Sequence, residues 1–283
     1  MRLKQEGDVD PDLEQALDVI RQRLGEDFGS GQKKTELCDN LMLLAIHARG
    51  YNNYQDFGVS GERFFVEKVL AKLRPTVCVD VGANVGKYAA LLLEATEARV
   101  YAFEPLAEPF EELSALARDH EDRLTAVNKG VGDTDGSTTI HFNPDATVHA
   151  SICEQIKKIP YVTNAESREI DIVTLDTFFG GMEAFGDIGF VKIDTEGFEF
   201  EVLQGAARVL GEVRPMAVQI EYNWHQLFRS HTIYLFSEIL KDYSLFQLLP
   251  NRMDFRDPGD PLTNIYHFSN FVFIRTDLLP ISL

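Results

Sequence analysis

The sequence is short of cysteine, short of basic charge and without long apolar runs, and each shortage closes a route. Three cysteines, Cys38, Cys78 and Cys153, stand in 283 residues with no CxxC pair. That excludes a disulfide framework and a cysteine-rich zinc site. Buried free thiols in a reducing compartment are expected instead. Lys and Arg number 27 against 45 Asp and Glu, a formal charge of −18. Nucleic-acid backbones and anionic membranes are bound by clustered cations, so neither is an expected partner. No window approaches the ~18 uncharged apolar residues of a membrane-spanning helix. The opening MRLKQEGDVDPDLEQ has no apolar signal core, so a cytoplasmic location is expected. HExxH, GxGxxG and NPPY motifs and internal repeats are all missing. What is present is globular: 45% apolar and 25% charged residues, in a chain long enough to bury a large core unaided.

Leu13, Ala16, Leu17 and Ile20 recur at helical spacing, and Leu37 to His47 is a second helical segment. Gly50 to Gly61 reads as loop. Ser60 then precedes Phe64, Phe65, Val69 and Leu70, a helix that should stop before Pro75. From Thr76 the period changes. TVCVDV, ARVYAF and LTAVN are strand-like and are separated by the helical runs KYAALLLEA and EPFEELSALARDH. This alternation predicts a parallel α/β sheet. STTIHF, after the turn DTDG, is expected to add a hairpin. Later strands are IDIV, Gly189 to Ile193, MAVQIEY and Asn270 to Ile274. Helices are expected over FEFEVLQGAARVL and Thr232 to Asp242, with a long loop from Pro250 to Asn264.

The sharpest motif is VDVGANVG, Val79 to Gly86, between a strand and a helix. Gly82 permits a tight turn, Gly86 close packing of the helix on the sheet, and the helix N-terminus offers unpaired amides. Glu104 ends the next strand, roughly 20 residues on, where an acid accepts both ribose hydroxyls. Asp80 inside the turn would repel a pyrophosphate and suits a cationic ligand. Charge thus favours S-adenosylmethionine over a nicotinamide dinucleotide.

Together with AFEP, NKGVGDTDGSTT, TLDTF and above all VKIDTEGFEFEVLQGA, this turn resembles the FkbM-type S-adenosylmethionine-dependent methyltransferases over about residues 76 to 275. The resemblance implies an α/β class I methyltransferase fold, Rossmann-like. Its sheet is seven-stranded and mostly parallel, with an antiparallel last strand and helices on both faces. Residues 1–72 would be an N-terminal helical extension and 73–283 the methyltransferase domain. It implies O-methylation of a hydroxyl on a small metabolite (a sugar, a polyketide or another natural product). Carried over, Asp80, Gly82, Ala83, Asn84 and Gly86 form the cofactor turn, and Glu104 with Pro105 the ribose end. Asn128, Val131 and Gly132 flank the adenine.

A second cluster surrounds the strand GFVKI. Alternation puts Lys192 and Asp194 on one face, and Asp194 ends the strand where open α/β sheets bind ligands. Asp194 is read as a ligand to the methionine ammonium, a metal ligand or a general base. Glu196 is read as either a site acid or a helix first-turn acid. Glu221, Asn223 and His225 should follow the next strand into the acceptor pocket, His225 from a loop. Asp194, Glu221 and His225 are the candidate catalytic residues. Tyr222 and Trp224 either wall the pocket or pack. His141 reads as structural, and His149 stays divided between site and surface. A bound Mg2+ and a homodimer stay open. An NAD(P)-dependent oxidoreductase and a non-catalytic nucleoside-binding module are the alternatives.

Overall fold

Val77–Val81 (β1) is buried along its whole length, as a strand covered on both faces must be. It is an inner strand of an eight-stranded sheet in this computed structural model, which describes residues 32–281 together with 15, 16, 18–20 and 22. Two compact units divide the chain, Met1–Arg49 and Gly50–Leu283. In the first, Gln32–Ala48 is a helix. Ala16 and Ile20 are helical too, whereas Leu13 and Leu17 of the proposed amphipathic stretch lie outside the described residues. Cys38 is exposed on its helix, against the expectation of a buried thiol, while Cys78 and Cys153 are buried and free.

In the second unit β1 pairs in parallel with Arg99–Phe103 (β2), and β2 with Leu124–Val127 (β3). Two short strands follow, Gly130–Val131 (β4) and Gly136–Phe142 (β5), then Glu166–Val173 (β6). On the other side of β1 lie, in parallel, Ile188–Ile193 (β7) and Ala217–Tyr222 (β8). Tyr243–Leu249 (β9), Arg252–Phe255 (β10) and Ser269–Arg275 (β11) complete the set. The order is β10-β9-β11-β8-β7-β1-β2-β3, with β11 antiparallel to both β8 and β9. This is the expected doubly wound, mostly parallel sheet with an antiparallel last strand.

Three expectations are corrected. The sheet has eight strands, because a tight turn at Pro250 and Asn251 folds β10 back onto β9 inside the segment read as loop. β5 makes no hairpin with the strand before it. It pairs with β6, and β4 lines the other edge of β6 in a separate three-stranded sheet. The reason is apolar: Ile140, Phe142 and Ile170 of this small sheet bury against Leu106. Asn223 is not in an open loop either. Its Oδ1 accepts from Trp224 N and caps a helix, Trp224–Arg229, that carries His225. The helical segment over 62–73 ends as expected before Pro75, with Arg74 in the left-handed region at φ 54.

Candidate active site

Four carboxyl ends lie side by side along one edge of the sheet. In spatial order they carry Glu104 after β2, Gly82 after β1, Asp194 after β7, and Glu221 near the end of β8. Adjacent strands are roughly 4.8 Å apart, so an elongated ligand straddling Gly82 would reach an acid at either end. These residues line one cavity of about 450 Å³, within the usual size range of small-molecule sites.

The turn between β1 and its helix is closed upon itself. Gly82 N and Ala83 N both donate to Phe103 O, Asn84 N to Glu104 Oε2, Val85 N to Asn84 Oδ1, and Gly86 N to Ala83 O. The amides of the turn itself, residues 82–86, are therefore committed within the protein, ahead of the helix that starts at Lys87. Gly82 has φ 80, and a Cβ there would stand 1.8 Å from Asp194 O. Gly82→Ala is expected to displace Asp194 and to abolish cofactor binding, with a lowered melting temperature; calorimetry and thermal melts check this. Gly86 packs its helix against Leu113 and Leu116 of the helix Ala107–Asp119, rather than against the sheet as expected.

Gly82, Asn84, Glu104, Pro105, Val131, Asp194, Glu196 and Glu221 line the cavity; Asp80, Ala83, Gly86, Asn128, Gly132 and His225 do not. Asp80 is fully buried beneath it, 3.7 Å from Lys192 Nζ. Ala83 is buried in the turn. Asn128 donates to the carbonyls of Glu104 and Pro105 and so pins that loop. Gly132 is a packing position under Ile172 and Phe198. Tyr222 is buried and stacks on Tyr266, and Trp224 covers an apolar cluster of Ile156, Ile159 and Val162. His141 exchanges backbone hydrogen bonds with Ser151.

His225 is buried behind Glu196, its Nε2 3.0 Å from a Glu196 oxygen; His149 approaches the other oxygen at 3.7 Å. Burial favours the neutral acid of Glu196, but the two imidazoles win and hold its pKa down to about 2. Burial likewise opposes the charged form of His225, yet the neighbouring Glu196 carries its pKa above the ordinary value. Glu196 itself stands in the left-handed region at φ 56, beside Gly197 at φ 107. Glu199 holds this turn of the IDTEGFE motif by accepting from Thr195 N, Thr195 Oγ1 and Gly197 N, and Gln226 donates to its other side.

Asp194 accepts from Lys192 Nζ at 2.9 Å, as strand alternation predicts. Burial disfavours the Lys192 ammonium, but Asp194, Asp80 and Glu62 raise its pKa and keep it charged. Glu221 accepts no hydrogen bond among the described residues. Burial first, then the charges of Asp194 and Glu196, raise its pKa well above the carboxylate range, with Lys192 opposing. Oxygens of Asp194, Glu196 and Glu221 lie within 4.8 Å of one another, a set of hard donors that a divalent cation could bridge.

Sequence reasoning missed Glu62. It is buried at the start of the helical segment 62–73, lines the cavity, and accepts from Ser60 Oγ at 2.6 Å and Gln219 Nε2 at 3.0 Å. A carboxylate one turn before the apolar Phe65 and Val66 was the available signal. Tyr54, Phe57 and Phe268 add an aromatic wall.

A mostly parallel, doubly wound sheet with an antiparallel strand beside β8 defines the class I methyltransferase fold, and an acid-lined cavity opens at the carboxyl ends of its strands. The methyltransferase FkbM domain model matches residues 80–249, and the chain belongs to that family. It carries an S-adenosylmethionine-dependent methyltransferase domain. A curated relative, the hexuronic acid methyltransferase AglP of Haloferax volcanii, is 27% identical over 143 residues. That match covers 50% of this chain and 54% of the relative, so the chain spans about half the length of the curated relative it matches. Among solved structures, a methyltransferase from Geobacter sulfurreducens aligns at TM-score 0.42 and 11% identity, covering 94% of this chain and 97% of that one. The 1,6-didemethyltoxoflavin-N1-methyltransferase of Burkholderia thailandensis, solved with S-adenosylhomocysteine, aligns at 0.39 and 13%, covering 89% and 94%.

Proposed function

We propose that this chain methylates a hydroxyl of a small metabolite (a sugar, a polyketide or another natural product) with S-adenosylmethionine, by in-line transfer. The observation that supports the reading best is the order Glu104, Gly82, Asp194, Glu221 along one cavity. It offers a ribose acceptor at one end and a cation-attracting cluster at the other. Bound there, S-adenosylmethionine supplies an electrophilic methyl group. The chain's own residues do the rest. Glu104 would accept the ribose hydroxyls, Asn84 and Pro105 would flank them, and Val131 would sit under the base. Glu221 is the proposed general base, because an unpartnered carboxylate of raised proton affinity can take the hydroxyl proton. Asp194, already held by Lys192, is the proposed neighbour of the methionine ammonium. His225 and His149 would position Glu196 rather than touch the acceptor. Near-attack placement inside a cavity can supply roughly 7 to 11 kcal/mol of the barrier.

The Haloferax relative, named for a hexuronic acid, is consistent with a sugar acceptor. The aromatic wall of Tyr54, Phe57 and Phe268 would suit a sugar face. A Mg2+ ion across Asp194, Glu196 and Glu221 is the second reading, favoured by their convergence. Turnover that survives EDTA would reject it.

Calorimetric titration with S-adenosylmethionine tests the main reading. Burial pushes Glu104 up to about 7, against the amides of Leu106 and Asn84 that favour its charged form. Ribose hydroxyls donate to the ionised acid, so affinity should hold above pH ~7 and weaken about tenfold per unit well below it. Glu104→Ala should bind far more weakly and lose this dependence. A folded protein that binds no S-adenosylmethionine overturns the reading.

A further inference from the structure

A row of aromatic rings runs outside the cavity at its Glu221 end. Glu221 stands near the end of β8, and Trp224 opens the helix that follows. β11 lies antiparallel beside β8 with Ser269 opposite Tyr222, so the residues before Ser269 stand next to those after Tyr222. There His267 meets Trp224 with ring centroids 6.4 Å apart. Tyr161 meets the same indole at 6.0 Å, and His149 meets Tyr161 at 5.6 Å. The row touches the cavity at both ends. His149 approaches Glu196, and His267 adjoins Phe268, which lines the cavity together with Tyr54.

These rings are not a sealed core. Tyr161 is 51% exposed and Tyr54 68%, whereas core aromatics such as Phe103 and Phe190 are fully covered. Trp224 covers Ile156, Ile159 and Val162 and still keeps part of its surface. Neutral polar groups stand between the rings: Asn52 reaches His267 at 3.3 Å, and the Asn223 side chain holds the Tyr161 hydroxyl. Successive rings are tilted by 53° to 71°, so they present separate faces along a path and not one flat plate. Open rings alternating with amides and imidazoles match a ligand with C–H faces and hydroxyl edges. An alkyl chain would give the amides and imidazoles nothing to bond. A nucleic-acid strand stacks on rings too, but it needs a basic groove, and this chain carries a formal charge of −18.

Resting on the methyl-transfer reading, we propose that the acceptor is an oligosaccharide: one sugar enters the cavity for methylation, and a neighbouring sugar is held outside it on Tyr161 and Trp224. A free single sugar fills the cavity alone and forgoes the second set of contacts. The sugar is therefore methylated after it has been joined to another, so a glycosyl transfer must supply the acceptor.

The test is an array of defined glycans, each printed as the single sugar and as its oligomers, with single-stranded RNA spotted beside them. It is probed with the labelled full chain in saturating S-adenosylhomocysteine. Oligomers should be bound, and their single sugars at least about tenfold more weakly. Tyr161→Ala should weaken oligomer binding by about tenfold, the worth of one stacked ring, and bring it towards that of the single sugar. Trp224→Ala should act in the same direction, but its ring also covers an apolar cluster, so Tyr161→Ala is the deciding variant. Calorimetry should show Tyr161→Ala binding S-adenosylmethionine as the wild type does, which establishes that the domain is intact. Equal binding of single sugars and oligomers, no glycan binding, RNA bound in place of glycans, or undiminished binding by Tyr161→Ala each overturns the proposal. A wild-type chain that binds no S-adenosylmethionine overturns the methyl-transfer reading as well, a distinct result.

Discussion

Lys192→Met is expected to destabilise the protein by about 3 to 5 kcal/mol, the cost of removing one partner from a buried ion pair. Lys192 is 4% exposed and lies between Asp80, which is fully buried, and Asp194. Methionine keeps the volume and the apolar stem but leaves two carboxylates without their cation. The ammonium also rests 4.9 Å from the Tyr88 ring centroid, a contact methionine replaces only in part. At roughly 2 to 4 °C per kcal/mol for a domain of this size, the melting temperature should fall by about 10 °C. Adding Asp80→Asn should recover part of the loss, since the buried charge then disappears. Melts of the two single variants and the double variant check the coupling. An unchanged melting temperature for Lys192→Met would refute this account of the sheet's buried charges.

Glu221→Gln is expected to lower turnover by ~100- to 10,000-fold at saturating S-adenosylmethionine, the usual worth of a general base. Its stability should be unchanged or higher, because the substitution relieves the crowding with Asp194 and Glu196 that burial enforces. That pairing separates lost chemistry from lost folding. Glu221→Asp should retain a fraction of the rate; the wild-type rate should rise with pH as Glu221 ionises, and that rise should vanish in Glu221→Gln. Label transfer from S-adenosylmethionine carrying a trideuterated methyl group, followed by mass spectrometry of the acceptor, measures it. Full activity in Glu221→Gln would move the base elsewhere, with Glu196 next in line on the same wall.

Much of the fold was legible in periodicity. β1, β7 and β8 are mostly apolar and almost wholly buried because inner parallel strands are covered on both faces, β2 and the edge strand β3 less so, and their helices carry a 3.6-residue repeat. β9 was not recognised, since Tyr243–Leu249 follows a helix without a turn marker and then enters Pro250, which reads as the edge of a loop. The partner of β5 was misjudged because alternation identifies a strand and not its neighbour. In the site, Gly82 and Glu104 followed from motif spacing, Asp194 from its place at a strand's end and Asn84 from the family resemblance, and all four line the cavity.

The sequence by itself determined the class: a strand, a glycine turn, a helix and a distant acid lie within one βαβ unit, and local spacing is enough to define them. Only the tertiary structure decided which acids meet. Asp80 and Glu221 both belong to strands, yet one is sealed under the sheet edge with Lys192 and the other stands on the cavity wall. Glu62 and Glu196 come from separate segments and meet only on the cavity wall, and His149, from a third, reaches Glu196 from behind. Proton affinities depend on such encounters, because burial and neighbouring charge act across a few ångströms of space and not along the chain.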